Sequence, residues 1–330
     1  MLVPTLLSAA LLVVLLNIAH AGDVAVEIAR AAPRTALPVC LLTLVYLIIK
    51  AVQWGHYLSR LNIRPGWRKL LIPFVGGELG GSLPMGVYLE NYLLKGVEEI
   101  EIGRSFVATT WILITEIELC LLTLLIVGVP GWSWVRPLAV ALLAGMLLVG
   151  WLLFRTQVAR QLLEQWQPRQ RWLQALLGGV RQFIAGGRQL FTWRTFLYGF
   201  PLTALYLGAY VVALYIVGRS LIPGFSWQAV ITTYAFSLAT VLLVSFLPNL
   251  GTFEAAGMAV LAQFAVSGDV SLGMLLTVHV LKTGTLGGDP APAVPQAGAH
   301  CQIRIRDDIR GEFIHMARPG EHLVQSECGF

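Results

Sequence analysis

The chain has 330 residues, of which 56% are hydrophobic and only 12% are charged, and its formal net charge is +5. This composition excludes an ordinary water-soluble domain and indicates an integral membrane protein. The positive charge does not indicate a nucleic-acid partner, because it lies in loops between apolar segments and no basic soluble domain is present.

Six apolar segments approach or exceed the length of about 20 helical residues that the hydrocarbon core requires. They are residues 2–19, 37–58, 105–129, 137–154, 196–217 and 228–247. Because they lack the alternation of barrel strands, we predict an all-α fold, a polytopic transmembrane helix bundle of about seven spanning helices. For the first segment a signal peptide is the alternative, because residues 19–21 resemble a cleavage site.

Basic loops give the orientation, because Lys and Arg flanks resist translocation. The loop after the second segment contains Arg60, Arg64, Arg68 and Lys69. We expect this loop and the N-terminus to face the cytoplasm, with the chain in the plasma (inner) membrane. Residues 20–36 balance their charges, so they are predicted to form an outer loop.

Residues 70–96 are apolar but cannot cross the membrane once without breaking this charge pattern. They contain many helix-interrupting residues: Gly76, Gly77, Gly80, Gly81, Pro84 and Gly86. Glycine supplies backbone freedom and proline lacks an amide donor, so helix is disfavoured there. We therefore predict a re-entrant, broken-helix element, which is stable at membrane depth only inside protein or beside a wet cavity.

The segment 155–194 holds seven arginines against one glutamate and is predicted to be cytoplasmic. After Pro168 its apolar residues recur at helical spacing, which is typical of an amphipathic interfacial helix. The side chains expected to meet lipid headgroups at the interface are Arg169, Arg171, Trp172, Arg181 and Arg188. Arginines near a membrane surface attract anionic headgroups by roughly 1 kcal/mol each.

A second broken element begins at Pro248, continues through Gly251 and Glu254, and is followed by a short apolar run ending near Gly268. In both broken elements a glutamate follows a proline by six positions: Glu90 follows Pro84, and Glu254 follows Pro248. Paired interrupted segments in two halves indicate a transporter binding site, where half-helix ends meet a polar substrate. Ordinary interfacial turns are the alternative.

The end of the chain departs from this pattern. Residues 270–281 reach only about 18 Å as a helix, which is too short to span, so we expect the final helix to be lacking. Residues 1–287 are predicted to form the transmembrane domain. Residues 288–330 change to charged and turn-forming residues, as a disordered tail, a truncation or a reading-frame shift would produce.

Ionisable residues at membrane depth are costly and therefore mark candidate functional sites. Glu78, Glu90 and Glu254 lie beside the broken backbone, and a carboxylate capping a half-helix is the alternative reading. Glu116 and Glu118 are two positions apart on a helix, so at most one of them faces inward. The other candidates are His279 and Lys282. The sequence shows no phosphate loop, nucleophile elbow or zinc motif, so we predict no cofactor or metal and favour a protein that is not an enzyme.

The run from Pro248 through Glu254 resembles the proline, glycine and arginine-glutamate signature of the lysylphosphatidylglycerol synthase transmembrane-domain family, which is also described as flippase-like. The patch from Gly77 and Glu78 through Gly86 is similar to that family's other glycine and proline region. The likeness covers roughly residues 1–287. This sequence has Phe253 where the family usually has an arginine. Lys282 corresponds to a second arginine that is typical of the family's last helix region.

The resemblance implies movement of a lipid between leaflets, such as an aminoacylated phospholipid or a polyprenyl-linked sugar. The residues expected to bind the lipid are Glu78, Pro84, Gly86, Glu90, Pro248, Gly251 and Glu254. Expected partners are membrane lipids and lipid-synthesis or glycosyltransferase enzymes, with no nucleic acid. Two alternatives remain open: a membrane-embedded transferase that acts on a lipid-linked substrate, and a non-catalytic helper subunit of a lipid-synthesis complex.

Overall fold

The computed structural model describes residues 2–80, 86–98, 102–156, 170–244 and 249–287, and these form eleven α-helices, one 3-10 turn and no strand. The prediction of an all-α polytopic bundle is confirmed. The helices are α1 (Leu2–Ile18), α2 (Ala21–Arg60), α3 (Trp67–Gly80), α4 (Leu89–Glu98), α5 (Ile102–Val127), α6 (Val135–Phe154), α7 (Arg171–Leu190), α8 (Trp193–Leu221), α9 (Trp227–Leu243), α10 (Asn249–Ala262) and α11 (Gly268–Gly287). The 3-10 turn is Gly86–Tyr88.

Four helices of the described ranges, α2, α5, α6 and α8, are long and apolar enough to cross a membrane. Three of these helices, α5, α6 and α8, match predicted apolar segments closely. Helix α9 is apolar but has 17 residues, which extend about 25 Å. The chain is therefore a multi-pass membrane protein, and the total of about seven crossings stays a prediction.

The prediction of an outer loop at residues 20–36 is wrong, because α2 is continuous from Ala21 to Arg60. The break lies at His20, whose φ of 52° is left-handed. Pro33 and Pro38 lie inside the helix. Balanced charges therefore did not mark a loop here, since the Ala-rich stretch after Gly22 favours helix.

Helices α3 and α4 pack against each other as a hairpin. The prediction that Gly76, Gly77 and Gly80 interrupt the helix is wrong, because all three lie within α3. A Cβ on Gly77 would lie 2.6 Å from Glu90 Cβ, and one on Gly80 would lie 2.7 Å from Leu89 Cδ2. These glycines allow the two helices to approach closely. Gly81 and Pro84 lie outside the described residues.

Helix α7 is amphipathic, as predicted, and its apolar face packs on α5, α6 and the end of α2. Leu177 and Ile184 are buried. A Cβ on Gly186 would lie 3.0 Å from the Val107 side chain, and Gly187 lies against Phe154. Much of the face that was expected to enter the membrane interface is therefore covered by protein.

The last helix is longer than predicted. Helix α11 covers 20 residues, Gly268–Gly287, and extends about 30 Å, so the expected length of about 18 Å is wrong, although α11 is not among the four helices that are long and apolar enough to cross a membrane. The sequence-based estimate stopped at Leu281 because Lys282 and three glycines follow it, yet Lys282 has carboxylate and aromatic neighbours inside the bundle. Helix α11 packs on α2, α8 and α10. The predicted tail, 288–330, lies outside the described residues.

The core lies where α2 meets α8, and it contains a buried polar network. Gln53 Nε2 donates to Tyr57 Oη at 2.9 Å and to Thr203 Oγ1 at 3.0 Å, and Gly199 O accepts from the same nitrogen at 3.3 Å. Thr203 in turn donates to Thr115 on α5 at 3.2 Å. This network fixes α2, α5 and α8 relative to one another beneath the charged cavity described next.

Candidate functional site

A cavity of about 140 Å³ lies between α2, α3, α4, α5, α8, α9, α10 and α11. Its ionisable lining side chains come from distant parts of the chain and include Lys50, Glu78, Glu90, Glu116, His279 and Lys282. Glu116 lies fourteen residues after the start of α5 and eleven before its end, so the cavity is near the middle of that helix. We refer to it as the charged cavity.

Lys50 is the centre of the charged cavity. Its Nζ lies 2.9 Å from Glu78 Oε1 and 3.2 Å from Glu116 Oε1, and it donates to Tyr46 Oη at 3.0 Å. The Tyr206 hydroxyl donates to Glu116 Oε1 at 2.8 Å. Only 14% of the Lys50 side chain is exposed, so this is a buried ion-pair network and not a surface salt bridge.

Lys282 brings a second ammonium group to the same carboxylate. Its Nζ lies 3.3 Å from Glu78 Oε2, and Tyr46 donates to that oxygen at 3.3 Å. The ammonium also lies 4.7 Å from the ring centroid of Tyr46 and 5.7 Å from that of Tyr210, within cation–π range. Glu78 thus bridges two cations within an aromatic wall.

Glu90 reaches the cavity from the start of α4. It is buried, and its Oε1 accepts a short hydrogen bond from the Thr109 hydroxyl of α5. Thr109 is held in turn by Asn91, whose amide donates to it at 3.0 Å, and by the Trp54 indole at 3.2 Å. This network places the carboxylate in the cavity without a lysine within ion-pair distance among the described residues.

Glu254 lies behind the cavity and does not line it. It is fully buried, its Oε2 accepts from Gly251 N at 2.6 Å, and its Oε1 lies 3.4 Å from His279 Nδ1. Gly251 has a φ of 89°, which an L side chain adopts only with strain. The contact to Gly251 is the helix-capping geometry that the sequence left open as an alternative.

The predicted lipid-binding residues are therefore only partly brought together. Glu78 and Glu90 line the charged cavity, Glu254 contacts its wall through His279, and Gly86 and Gly251 lie outside its lining. Pro84 and Pro248 lie outside the described residues. Of Glu116 and Glu118, only Glu116 faces the cavity, as their spacing on one helix requires.

Sequence reasoning missed Lys50, which contacts two carboxylates. Lys50 could have been selected as a candidate site residue, because it is a charged residue near the end of an apolar segment that is predicted to span the membrane. The aromatic residues Tyr46, Tyr206 and Tyr210 gave no such signal, because tyrosines at helical spacing are usual in a core.

Of the predicted interface residues, Arg171 and Trp172 begin α7, and Arg181 and Arg188 lie further along it. Arg188 Nη2 donates to Thr156 O at 2.7 Å, which ties α7 to the end of α6. Arg181 is exposed. Arg169 lies outside the described residues, and the side chains of Arg171 and Trp172 are not described. Headgroup binding by this set stays a prediction.

The described residues contain no group of three His, Cys, Asp or Glu side chains that could hold a metal ion. Residues 1–287 match the model of the lysylphosphatidylglycerol synthase TM region. No curated protein and no solved structure matches the chain.

Proposed function

This chain belongs to the lysylphosphatidylglycerol synthase TM region family, and from that premise we propose that it binds a lipid headgroup in the charged cavity and carries the lipid between leaflets. The family supports a membrane protein related to lipid handling. The charged cavity supports the further step, because it offers polar groups for a headgroup among helices that cross the bilayer.

The observation that carries the proposal is two lysines that share one buried glutamate. Lys50 and Lys282 both contact Glu78, at 2.9 and 3.3 Å. Charges at membrane depth are expensive, and buried ion pairs often cost more in desolvation than they return. Because the network is costly for stability, we expect its charges to serve binding of a polar group. A phosphate could replace carboxylate oxygens at the lysines, and a headgroup amine could replace an ammonium at Glu78 or Glu116.

The depth of the charged cavity fits a carrier. Lys50 lies ten residues before the end of α2 at Arg60, which corresponds to about 15 Å along the helix. That is about half of a hydrocarbon core of roughly 30 Å. A headgroup held there is near the midplane, where alternating-access transporters place their substrate sites. No energy source is assigned, so we expect passive or ion-coupled movement.

The membrane orientation is part of the proposal. We place the N-terminus, the α2–α3 loop and the basic linker 155–194 in the cytoplasm of an inner membrane, with the transmembrane domain at 1–287. Exposed tryptophans support two interfacial levels: Trp67 and Trp193 begin helices on the basic side, and Trp134 and Trp227 lie at the uncharged turns.

Reconstitution with fluorescent phospholipid tests lipid movement. Liposomes containing the protein and headgroup-labelled lipid are treated with an impermeant reductant, which bleaches only the outer leaflet unless lipid crosses. We expect bleaching beyond the outer half, and a rate at least tenfold lower for Lys50→Met and Glu78→Gln. Lys50→Arg, which retains the charge, should recover part of the rate.

Lys95→Met is the matched control, because Lys95 is exposed on α4 and does not line the charged cavity. Comparing lipids with anionic, zwitterionic and cationic headgroups identifies the cargo class. Equal rates for the native protein and the cavity variants, each shown to be monodisperse, would contradict the proposal.

Group transfer is a weaker interpretation of the same site. A general base needs a carboxylate free to accept a proton from substrate, but Glu78 and Glu116 already contact lysine or tyrosine donors, and Glu90 accepts a hydrogen bond from the Thr109 hydroxyl. A helper subunit would act through the basic linker 155–194 and not through the charged cavity. This interpretation predicts neutral cavity variants together with loss of function when residues 157–169 are deleted.

A further inference from the structure

A second and larger cavity lies on another side of α5. It has a volume of about 780 Å³ between α5, α6, α7 and α8, and its walls are mainly apolar. We call it the lateral groove. Its volume is within the range of about 300–1,000 Å³ that small-molecule sites occupy. We infer that the lateral groove binds lipophilic cations, that is, ammonium or phosphonium groups carried on apolar substituents, through the carboxylate of Glu118.

Glu118 is the feature that distinguishes the lateral groove from a lipid-filled crevice. Glu116 and Glu118 are about 200° apart on α5, so one faces the charged cavity and the other lines the groove. Glu118 lies sixteen residues after Ile102 and nine before Val127, which is well inside the span. No lysine, arginine or histidine among the described residues lies within ion-pair distance of it.

The groove also contains one arginine, which lies at its end. Arg155 follows the last residue of α6 and is exposed. The preceding residue, Phe154, packs its ring 5.9 Å from that of Trp111, seven positions before Glu118. Seven helical residues correspond to about 10 Å, so Arg155 lies at the mouth and leaves the deeper carboxylate without a cation.

Aromatic rings line the same groove as this carboxylate. Trp111, Phe154, Phe191 and Phe196 all line the groove, and the first three pack edge-on or tilted with centroids 5.7–6.0 Å apart. The faces of aromatic rings attract cations, most strongly where water is excluded. A groove that holds a carboxylate and, about two helical turns away, a cluster of aromatic rings is therefore complementary to a cation with apolar substituents.

A phospholipid acyl chain is the simpler occupant of an apolar groove in a bilayer. It would fill the groove but would leave Glu118 without an ion-pair partner, so the side chain would have to take up a proton or bear the cost of an unpaired charge. In a lipophilic cation, the apolar substituents can pack against the groove walls and the positive charge can pair with the carboxylate. The charge of Glu118 therefore favours the cation over the neutral chain.

Two probes of matched size and opposite charge test the inference. The purified chain is placed in phosphatidylcholine nanodiscs, and binding of tetraphenylphosphonium and of tetraphenylborate is measured against empty nanodiscs. We expect saturable binding of the phosphonium only. Glu118→Gln should weaken it at least tenfold, and Glu118→Asp should weaken it less.

A second variant blocks the groove without changing Glu118. Gly145 lines the opposite wall on α6, and a Cβ there meets nothing within 4 Å, so Gly145→Leu adds bulk with little effect on folding. It should also weaken phosphonium binding. Gly208→Leu on α8 is the control, because that position is equally open and lies outside the groove. Lys95→Met on α4, which lies outside both cavities, should also leave phosphonium binding unchanged.

Three outcomes would overturn the inference: no saturable binding of the phosphonium, equal binding of both probes, or unchanged binding by Glu118→Gln. The second outcome would identify the groove as a hydrocarbon site that takes lipid chains. The third would show that the carboxylate does not contact the bound cation.

Discussion

At the scale of single residues, the charged cavity depends on side chains that satisfy one another. Glu78 accepts from Tyr46 and contacts Lys50 and Lys282, so removing it leaves Lys282 without its carboxylate and Lys50 with only Glu116. Each loss exposes a buried ammonium to an environment that cannot solvate it. The energetic effect of one substitution is therefore shared between two partners.

We predict that Glu78→Gln lowers the free energy of unfolding by about 3 kcal/mol, since removing one partner of a buried ion pair leaves an uncompensated charge. Unfolding in detergent, followed by tryptophan fluorescence or heat, measures the change. Lys282→Met alone and the double variant complete a cycle, and we expect the double variant to lose clearly less than the sum. Additivity within about 0.5 kcal/mol would show that the two residues are not coupled.

Sequence reasoning located part of this network. It selected Glu78, Glu90 and Lys282 because ionisable residues in apolar segments are rare and costly. It missed Lys50, because α2 was treated as a uniform span, and it could not pair Glu78 with two lysines 28 and 204 positions away. Such pairing depends on how α2, α3 and α11 pack, and no local pattern encodes that.

At the scale of helices, glycines set how closely neighbours approach. The α3–α4 hairpin shows this at Gly77 and Gly80, and the α2–α8 interface shows it at Gly199, which lies directly against the Tyr57 hydroxyl. The sequence was interpreted as a series of helix breaks because glycine is a poor helix former in water. Within membranes, small residues instead allow close helix packing, and that effect dominated here.

We predict that Gly199→Ala destabilises the protein, because its Cβ would displace the Tyr57 hydroxyl and disturb the hydrogen bonds of Gln53. The expected loss is about 2 kcal/mol, from one displaced hydrogen-bond network and local overpacking. Gly208→Ala on the same helix is the control. A Cβ there meets nothing within 4 Å, so it should be neutral or slightly stabilising.

Thermal unfolding of the two variants in the same detergent gives the comparison. Equal melting temperatures would contradict the assigned role of Gly199 at the α2–α8 interface.

At the scale of the whole molecule, hydropathy predicted the fold class and most helix positions. Three segments correspond closely to α5, α6 and α8, because long apolar runs in lipid have few alternatives to helix. The boundaries failed where charge was used as a marker of loops, at residues 20–36, and where a lysine and glycines were taken as the end of a helix, after Leu281.

We predict that the α2–α3 loop and the α5–α6 turn lie on opposite sides of the membrane. In a variant without native cysteines, Arg64→Cys and Ser133→Cys place single thiols at exposed positions in these two segments. An impermeant maleimide applied to vesicles of known orientation should label Arg64→Cys only from the cytoplasmic side and Ser133→Cys only from the other. Labelling of both from one side would require a different topology.

The two ammonium groups and their carboxylate partners lie on separate parts of the bundle. Lys50 and Lys282 belong to α2 and α11, which pack along their lengths, with Thr285 Oγ1 3.2 Å from Cys40 Sγ. Glu78 and Glu116 belong to α3 and α5. Any sliding of the α2–α11 pair past α3 and α5 would have to break all three ion pairs in one step. The ion pairs thereby oppose such a movement, and a bound molecule with charges of its own would lower that barrier by substituting for the lost partners.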